Sequence, residues 1–287
     1  MKELTIISGK GGTGKTSVVA SFAALARNKV LADGDVDAAD LHLILAPEIK
    51  HEEDFMGGRT ARINLEACTE CGECLERCQF DAISPDFVVD RIDCEGCGVC
   101  VYFCPVEAID FPQNICGKWY ISETRLGPMV HAKLGIAEEN SGLLVSLVRN
   151  QAKVLAEERG LDTIIVDGPP GIGCPVIASI TGTSAVLIVT EPTLSGLHDL
   201  ERVGGLAAHF KIPTLACVNK FDLNEEMSDQ IADYCARNHI ELVGHIPYDT
   251  AVTRAMVAGK SMVEFSDGKV SKAIREIWHK IEQFLKD

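Results

Sequence analysis

The sequence lacks a long apolar run. No stretch approaches the roughly 20 consecutive apolar residues that a membrane-spanning helix needs. The first residues, Met1–Leu4, lead directly into a short strand-like segment, without the charged and apolar regions of a secretory signal peptide. These absences favour a cytoplasmic protein. We therefore expect its twelve cysteines to serve metal binding or catalysis rather than disulfides.

Basic residues are also scarce. The chain has 27 Lys and Arg against 42 Asp and Glu, which gives a formal net charge of −15. Binding to nucleic acid relies on clustered basic side chains that neutralise phosphates, so this balance argues against a nucleic-acid partner. The 287 residues are 46% hydrophobic and 24% charged, a composition typical of globular proteins with one large domain or two smaller ones.

Strand-like and helix-like segments alternate along the chain, except between about residues 57 and 112. Apolar runs predict buried strands at Leu4–Ile7, Lys29–Ala32, Asp162–Val166, Ala185–Val189, Thr214–Val218 and Leu242–Ile246. Helices are predicted between them at Lys15–Arg27, Gly142–Arg159, and near 195–210, 225–238 and 250–258. This order predicts an α/β fold with a mostly parallel sheet and helices on both of its faces.

The interruption is an internal repeat with a period of 26 residues. Ile63–Ile83 and Val89–Ile109 align without gaps, and their four cysteines and closing Ala-Ile coincide. Such a block between two βα units predicts a domain insertion. The predicted organisation is an α/β domain of residues 1–57 and 113–287, with a small domain inserted at residues 58–112.

Residues 8–17, S-G-K-G-G-T-G-K-T-S, match a phosphate-binding loop of the form G-x-x-x-x-G-K-[ST] between a strand and a helix. Glycines let successive backbone N–H groups face phosphate oxygens, and the helix N-terminus adds partial positive charge. Lys15 is predicted to reach the β- and γ-phosphates, and Thr16 to bind Mg²⁺. The predicted nucleotide-binding residues of the loop are Gly9, Gly11, Gly12, Thr13, Gly14, Lys15, Thr16 and Ser17.

The extra lysine, Lys10, makes this loop resemble the deviant Walker A loop of the MinD/ParA class of P-loop ATPases. That class includes the nitrogenase iron protein and the Mrp-type iron–sulfur carriers. The resemblance covers essentially all of the chain outside the insertion and implies Mg²⁺-ATP and Mg²⁺-ADP as ligands. It also implies an ATP-dependent homodimer in which Lys10 neutralises charge on the partner's phosphates, much as an arginine finger does. A solvated lysine beside its own nucleotide is the alternative.

Two further segments resemble the switch regions of this family. Asp35, in D-G-D after the second strand, fits the residue that positions the attacking water near Mg²⁺. Asp167, at the end of I-I-V-D, fits the Walker B aspartate that holds the Mg²⁺ shell, and Gly171 lies where a backbone amide contacts the γ-phosphate. The resemblance therefore implies Lys10, Lys15 and Asp35 as catalytic residues, and Thr16, Asp35 and Asp167 around Mg²⁺.

Weaker resemblances concern five other positions. Asn219 in V-N-K, and Pro247 and Tyr248 in I-P-Y-D, resemble contacts on the adenine side, with turn residues at strand ends as the alternative. Asp33 and Asp37 flank Asp35 and are either part of the site or solvated turn carboxylates.

Each repeat has the spacing C-x₂-C-x₂-C-x₃-C and so resembles bacterial two-cluster ferredoxins, in which the fourth cysteine binds the other cluster. The resemblance implies a ferredoxin-like α+β domain with two [4Fe–4S] clusters. Zinc sites more naturally have isolated C-x-x-C pairs with a longer gap. The implied ligands are Cys68, Cys71, Cys74 and Cys104 for one cluster, and Cys78, Cys94, Cys97 and Cys100 for the other.

Four cysteines lie outside the repeats. Apolar patterns predict that Cys217 and Cys235 are buried. Cys174 begins a predicted helix near Asp167, and we interpret it as an ordinary thiol. The alternative role of Cys174, as in the nitrogenase iron protein, is to hold a cluster shared across a dimer. Such a cluster would need a second cysteine from each subunit, for which only Cys116 is a candidate.

His131 either faces the region between the two domains or is a strand histidine whose ring nitrogens are hydrogen-bonded within the protein. We favour the second interpretation.

The segment Lys269–Asp287 has apolar residues on one helical face. MinD ends in a membrane-binding helix of this type. However, removal of the insertion leaves little more than an ATPase core of this class, so we expect the helix to pack on that core and not to bind membrane.

Three functions fit a predicted ATPase that carries two clusters. The first, which we favour, is ATP-gated electron transfer, in which a homodimer switch is coupled to the clusters. The second is an iron–sulfur assembly or carrier ATPase, although the C-terminal C-x-x-C of the Mrp type is absent. The third is a positioning or scaffold ATPase whose clusters sense redox state. The expected partner is an unidentified redox or iron–sulfur protein.

Overall fold

The computed structural model describes residues 1–135 and 141–286 and divides into two compact units. The first contains Met1–Glu53, Trp119–Lys133 and the chain from Ser141 onward. The second contains Asp54–Lys118 and a short segment that begins at Leu134. The predicted insertion, residues 58–112, lies within this second unit. The unit is wider than the predicted insertion because its limits at Asp54 and Lys118 fall inside two strands, Glu48–Arg59 and Gln113–Thr124.

Strands and helices alternate in the first unit, and the elements predicted there are present within a few residues of their expected bounds. The strands are β1 Lys2–Ser8, β2 Lys29–Asp33, β3 Glu48–Arg59, β4 Arg62–Ile63, β5 Ile109–Asp110, β6 Gln113–Thr124, β7 Gly127–Leu134, β8 Thr163–Pro170, β9 Ala185–Thr190, β10 Thr214–Asn219 and β11 Glu241–Ile246. The helices are α1 Lys15–Leu25, α2 Leu41–Leu45, α3 Glu73–Arg77, α4 Val99–Phe103, α5 Ser141–Arg159, α6 Cys174–Ile180, α7 Leu194–His209, α8 Glu225–Arg237, α9 Ala251–Val257, α10 Met262–Phe265 and α11 Lys269–Lys286.

The main sheet, over the described residues, has nine strands in the order β11-β10-β9-β1-β8-β2-β7-β6-β3. Strand β1 pairs in parallel with β8 and β9, and β2 pairs in parallel with β8 and β7. The predicted mostly parallel sheet is thus confirmed. Because the carboxyl ends of parallel strands meet at one edge, the loops that follow β1, β2 and β8 converge there.

The sheet is buried on both faces because successive side chains of each strand point to opposite sides. Leu187 of β9 belongs to a core formed with helices such as α1 and α11. Its neighbour Ile188 belongs to a second core, formed with α6, α7 and α8. This two-sided burial explains why the strands read as continuous apolar runs.

The last helix, α11, packs on the first of these cores. Ile277, Trp278 and Ile281 are all buried, and the Trp278 ring lies 5.1 Å from that of Phe22 in α1. The apolar face of α11 is therefore occupied by the core, as expected. In the described part of the chain, no helix has both the length and the apolarity to cross a membrane.

Three strands lie at one end of the sheet, of which β3 and β6 were not predicted and β7 was predicted only through the strand histidine His131. The first seven residues of β3, E-I-K-H-E-E-D, are exposed on both faces, so they lack the alternation that indicates a half-buried strand. A charged strand suits a sheet edge because charge discourages pairing with another chain. A two-residue turn at Arg125-Leu126 joins β6 to β7.

The second unit has a small antiparallel sheet of β4 and β5, in which Ile63 pairs with Ile109. Its helices α3 and α4 begin immediately after Gly72 and Gly98, whose φ angles are 82° and 74°. The two helices have equal length and lie 26 residues apart, so the repeat in the sequence is also a repeat in the structure.

Candidate functional site

The predicted phosphate-binding loop lies between β1 and α1 at the carboxyl edge of the sheet. Gly12 and Gly14 have φ angles of 82° and 86°, a region in which an L side chain is strained. A Cβ atom on Gly14 would also lie 2.4 Å from the amide nitrogen of Asn219. The loop therefore depends on glycine at both positions, in agreement with its motif.

Asn219, at the end of β10, supports this loop. Its Nδ2 donates a hydrogen bond to the Thr13 carbonyl at 2.7 Å, and its Oδ1 accepts one from the Lys220 amide at 3.0 Å. In this structure the side chain thus holds the loop backbone, a role that the sequence did not reveal. The predicted contact of Asn219 with adenine stays a prediction.

The other two residues predicted on the adenine side follow β11. Tyr248 is 46% exposed, and its backbone N–H donates to Asp222 Oδ1 at 2.6 Å, while Pro247 is half-buried. Their contacts with adenine also stay predictions.

Lys15 and three carboxylates form the charged centre of the site. Lys15 is buried, its Nζ donates to Asp167 Oδ1, and the same Nζ lies 3.8 Å from Asp35 Oδ2. Asp33 is opposite Asp167 in the β2–β8 pairing, and its Oδ1 accepts the Asp35 amide at 3.2 Å. The structure thus brings together the predicted Lys15, Asp35 and Asp167, and it adds Asp33, which the sequence left open.

Burial controls the protonation of this centre. It raises the pKa of Asp33 well above its ordinary value, and the negative charge of Asp167 raises it further. Burial also raises the pKa of Asp35 to about 6, although Lys15 opposes this shift. Burial alone would lower the pKa of Lys15, but the charges of Asp167, Asp35 and Asp33 and the hydrogen bond to Asp167 together outweigh it, so the net shift is upward and Lys15 stays charged. Three carboxyl groups therefore share one lysine, and a further cation would favour their ionised forms.

Three polar atoms of this centre are buried without a hydrogen-bond partner among the described residues: Thr13 Oγ1, Asp33 Oδ2 and Asp167 Oδ2. Buried polar atoms normally have partners, so unpaired ones in a cluster point to a ligand. Mg²⁺ is bound through one or two carboxylates together with water and phosphate oxygens. The carboxylates here therefore fit a Mg²⁺–nucleotide complex, with Thr16 in the first turn of α1.

Lys10 is held by residues of the first unit outside the loop. Its Nζ lies 2.7 Å from Glu191 Oε1 and donates to Ser195 Oγ at 2.9 Å. Lys220 binds the other oxygen of Glu191 at 3.2 Å and the Gly12 carbonyl at 3.2 Å. Partial burial raises the pKa of Glu191, but the hydrogen bonds from the two lysines outweigh burial and hold this pKa below its ordinary value. Glu191 was not predicted from the sequence. The available signal was its position, since it is a charged residue that directly follows the buried strand β9.

The segment after β8 contains Gly171 and Cys174. Gly171 has a φ angle of 93°, and its N–H donates to the Ser8 carbonyl at 2.9 Å. The predicted contact of this amide with the γ-phosphate therefore requires the hydrogen bond to Ser8 to break. Cys174 is exposed at the start of α6.

The eight cysteines of the repeats line two cavities in the second unit. The larger cavity has about 370 Å³ of space, including space open to solvent, and the smaller has about 300 Å³. Each cavity is lined by three cysteines of one repeat and by the fourth cysteine of the other repeat. The ferredoxin resemblance implies the same division of ligands between two clusters. The larger cavity is lined by Cys78, Cys94, Cys97 and Cys100, and the smaller by Cys68, Cys71, Cys74 and Cys104.

The surroundings of these thiols suit polynuclear metal. The Glu70 amide donates to Cys68 Sγ at 3.4 Å, and the Ala108 amide donates to Cys104 Sγ at 3.3 Å. Hydrogen bonds to sulfur of this kind are one of the features that tune a bound cluster. Burial raises the pKa of Cys100 to about 11, an effect that coordination to iron would offset.

Among the described residues, no group of three or more His, Cys, Asp or Glu side chains has the arrangement of a metal site. A [4Fe–4S] cluster spreads its four cysteine ligands over four iron atoms. The two [4Fe–4S] clusters that the ferredoxin resemblance implies for these cavities stay a prediction.

The remaining cysteines are separate from these cavities. Cys116 is buried and its thiol donates to the Gly57 carbonyl at 3.0 Å. Burial raises the pKa of Cys217 to about 12 and that of Cys235 to about 11, as expected for inert core thiols. The interpretation of Cys174 as an ordinary thiol stays a prediction.

His131 is a buried residue of β7. Its Nε2 forms a hydrogen bond of 2.8 Å with Ser122 Oγ, and its ring stacks on Tyr120 with 4.9 Å between centroids. These contacts support the favoured interpretation of a satisfied strand histidine. Burial, with a smaller contribution from the charge of His42, lowers the pKa of His131 to about 4.

We expect His131→Asn to reduce the acid sensitivity of folding. Wild-type His131 stays neutral when folded but binds a proton below pH 6.5 when unfolded, so its burial destabilises the fold as pH falls from about 6.5 toward 4. The free energy of unfolding should fall by up to about 2 kcal/mol between pH 7.5 and 5 from this residue alone. Anaerobic urea denaturation across this range measures the effect, with exposed His209 changed to Asn as the control. Equal pH slopes in wild type and His131→Asn would contradict the prediction.

Comparisons with known proteins assign the chain to a family. The family model for the CobQ/CobB/MinD/ParA nucleotide binding domain matches residues 4–262. An uncharacterized protein of Methanocaldococcus jannaschii is 34% identical over 287 residues, which cover 99% of this chain and 97% of that protein. An iron–sulfur cluster carrier protein of Pyrococcus furiosus is 23% identical over 99% of this chain and 87% of its own length.

Solved structures show the same fold. The cell division ATPase MinD of Pyrococcus furiosus matches with a TM-score of 0.60 at 19% identity, over 99% of both chains. The Mg-ADP complex of MinD from Pyrococcus horikoshii also has a TM-score of 0.60, at 18% identity, over 99% of this chain and 96% of the other. The chain belongs to the CobQ/CobB/MinD/ParA family of nucleotide-binding domains.

Proposed function

We propose that this protein binds and hydrolyses ATP and couples an ATP-dependent homodimer switch to two [4Fe–4S] clusters for gated electron transfer. The main support is that a single chain contains both the charged centre of Lys15 and its carboxylates and two cavities, each of which is lined by four cysteines. Each cavity divides its cysteines between the two runs, as two-cluster ferredoxins do. The proposed ferredoxin-like domain comprises residues 58–112, and the proposed ATPase domain comprises the rest.

In the proposed nucleotide complex, the loop backbone from Gly9 to Gly14 cradles the phosphates. Lys15 compensates their negative charge, and Thr16, Asp35 and Asp167 surround Mg²⁺. Asp35 orients the attacking water. Asp33, buried beside Asp167, adds negative charge that favours a divalent cation.

The contact between Lys10 and Glu191 supports a switch. If Lys10 is to reach a partner's phosphates, it must first leave Glu191 and Ser195. Nucleotide phosphate then competes with a carboxylate for the same ammonium group. The interaction with Glu191 thus opposes dimerisation until ATP is bound.

We expect Glu191→Gln to lower the ATP concentration needed for half-maximal dimerisation by a factor of about 2–5. A partly exposed ion pair contributes only about 0.5–1 kcal/mol, which sets this range. Light scattering of the anaerobic protein during ATP titration measures it. Lys10→Ala should abolish the dimer and spare nucleotide binding, and Lys220→Gln, which leaves Lys10 on Glu191, should change little. An unchanged or higher ATP requirement in Glu191→Gln would contradict the switch.

The proposed clusters would supply one-electron redox chemistry when bound. The residues of the chain contribute the thiolate ligands, the N–H donors to sulfur at Glu70 and Ala108, and the apolar walls of both cavities. These walls limit water near the metal and, with the hydrogen bonds, set the reduction potential.

The similarity to proteins named iron–sulfur cluster carriers favours a second candidate, cluster assembly or delivery. Against it, four cysteines around each cavity leave no position for a recipient's ligand. Incubation of the holoprotein and MgATP with an apo-ferredoxin separates the two functions. Transfer of iron and sulfide supports the carrier, whereas electron transfer with all iron retained supports gated redox chemistry.

The affinity for nucleotide tests the coupling itself. We expect the Kd for a non-hydrolysable MgATP analogue to differ between holoprotein with oxidised clusters and holoprotein with reduced clusters, because coupling between two sites changes both binding free energies equally. Equal Kd values together with cluster transfer would favour the carrier instead.

A further inference from the structure

The helix α4 presents an apolar face to solvent. Val99, Tyr102 and Phe103 are 37%, 83% and 43% exposed, and Val106, just beyond the helix, is 41% exposed. The Tyr102 and Phe103 rings meet edge to face, with 5.0 Å between centroids. We call these four residues the α4 patch. Exposed apolar groups that lie together indicate an interaction site more often than scattered ones do.

The internal repeat provides a control for this patch. The residues that precede those of the patch by 26 positions are Glu73, Glu76, Arg77 and Phe80. The three of these positions that lie on α3 are all charged, and Glu73 pairs with Arg77 at 2.7 Å, whereas Phe80 beyond the helix is apolar and 43% exposed. Because α3 and α4 share one geometry, the repeat does not require apolar residues there. The α4 patch therefore needs an explanation of its own.

The patch touches both cysteine cavities. Val99 lines the cavity of Cys78, Cys94, Cys97 and Cys100, whereas Val106 lines the cavity of Cys68, Cys71, Cys74 and Cys104. Tyr102 and Phe103 lie between them in the sequence, beside the ligand Cys104. A protein seated on this patch would cover the thin walls of both cavities, which is the position an electron-transfer partner needs.

Charge indicates the kind of partner. Residues 54–118 contain twelve Asp and Glu but five Lys and Arg, a net charge of −7 in a chain whose total is −15. A second copy of the same surface would be repelled by this charge, whereas a basic protein would be attracted and steered. Around the patch, Glu73 and Glu95 line the cavities, and Arg77 lies 4.0 Å from the Phe103 ring.

We propose that the α4 patch docks a basic one-electron carrier protein, whose apolar contact covers Tyr102 and Phe103 and whose Lys and Arg side chains meet the surrounding carboxylates. One electron passes between a cluster of this chain and the redox centre of the carrier, with no bond made or broken. This inference rests on the proposed presence of the two clusters.

Zinc-substituted cytochrome c, a basic fluorescent protein whose zinc ion is redox-inactive, serves as the binding probe. Quenching of its fluorescence by the anaerobic holoprotein gives a Kd. We expect Tyr102→Gln/Phe103→Gln, which leaves net charge unchanged, to raise this Kd at least fivefold. The control Leu65→Gln/Ile92→Gln removes two exposed apolar residues outside α4 and should change the Kd less than twofold. Raising salt from 20 to 200 mM should weaken wild-type binding at least tenfold.

Native cytochrome c, which accepts an electron, is used to measure the rate of electron transfer at the same surface. The second-order rate of cluster reoxidation should fall at least fivefold in the double variant, while the rate with a small viologen acceptor should stay within twofold. Equal Kd values for wild type and double variant, or equal losses in the two double variants, would overturn the docking site. If the Phe103 change lowers iron content, Tyr102→Gln alone decides the question, because its side chain is 83% exposed.

Failure of the underlying proposal looks different. A protein purified anaerobically without iron, sulfide or visible absorption would lack the clusters, and the proposed function would then fail. A fully loaded protein whose affinity does not depend on Tyr102 and Phe103 would overturn the docking site alone.

Discussion

Lys15→Met is expected to weaken MgATP binding by at least a factor of about 100. Lys15 is the only cation that contacts Asp167 and Asp35 among the described contacts. Its loss leaves these carboxylates and buried Asp33 as unbalanced negative charge in the place where phosphate must bind. Removal of one partner of a buried charge pair between binding partners costs about 2–5 kcal/mol, and a loss of about 3 kcal/mol corresponds to more than two orders of magnitude in a binding constant. Equilibrium binding of a fluorescent ATP analogue measures the loss.

A matched control separates this effect from unfolding. Lys15→Met and Asp167→Asn together remove one charge of each sign from the same ion pair. The double variant should regain much of the stability to urea that Lys15→Met loses, but it should not regain ATP affinity. Nucleotide binding by Lys15→Met within tenfold of wild type would contradict the assignment of the site.

Cys78→Ala is expected to remove the cluster of the second repeat, although Cys78 belongs to the first. Cys78 lines the cavity of Cys94, Cys97 and Cys100. Iron should therefore fall from about eight to about four atoms per chain, because each [4Fe–4S] cluster holds four. The electron paramagnetic resonance spectrum of the remaining reduced cluster should match that of Cys94→Ala rather than that of Cys68→Ala.

The corresponding variant of the second repeat, Cys104→Ala, tests the same crossed assignment of the fourth cysteines. Cys104→Ala should leave the same cluster as Cys68→Ala, because Cys104 lines the other cavity. Cys116→Ala, which removes a buried thiol outside both cavities, should retain all the iron. If Cys78→Ala and Cys68→Ala instead retain the same cluster, each run binds its own metal and the crossed assignment is wrong.

Much of the fold follows from the sequence because local patterns determine it. The continuous apolar runs of β8 and β9 predict a sheet covered on both faces, and two cores confirm this. The strand β3 escaped prediction because its first seven residues are charged or exposed on both faces. A strand at a sheet edge is formed by backbone pairing with its neighbour, a tertiary feature that side-chain alternation does not report.

The candidate site was likewise predictable from the sequence only in part. The motif around Lys15 and the acidic ends of β2 and β8 predict the charged centre, since parallel strands bring their carboxyl ends together. The contacts of Glu191 with Lys10 and of Asn219 with Thr13 join segments about 180 and 206 positions apart. No local spacing predicts them. Asp33 was left open because adjacent aspartates look alike until strand pairing puts one of them opposite Asp167.

The central claim is that nucleotide binding and the two clusters affect one another. Spectroelectrochemical titration of the anaerobic holoprotein, with no nucleotide, with MgADP and with a non-hydrolysable MgATP analogue, tests it most directly. We predict that the ATP analogue shifts the midpoint potential of at least one cluster by about 60 mV or more, equivalent to a tenfold change in ATP affinity on reduction. The Lys10→Ala variant should bind the analogue without the shift. Potentials that coincide in all three states of the wild type, with nucleotide bound, would contradict the coupling.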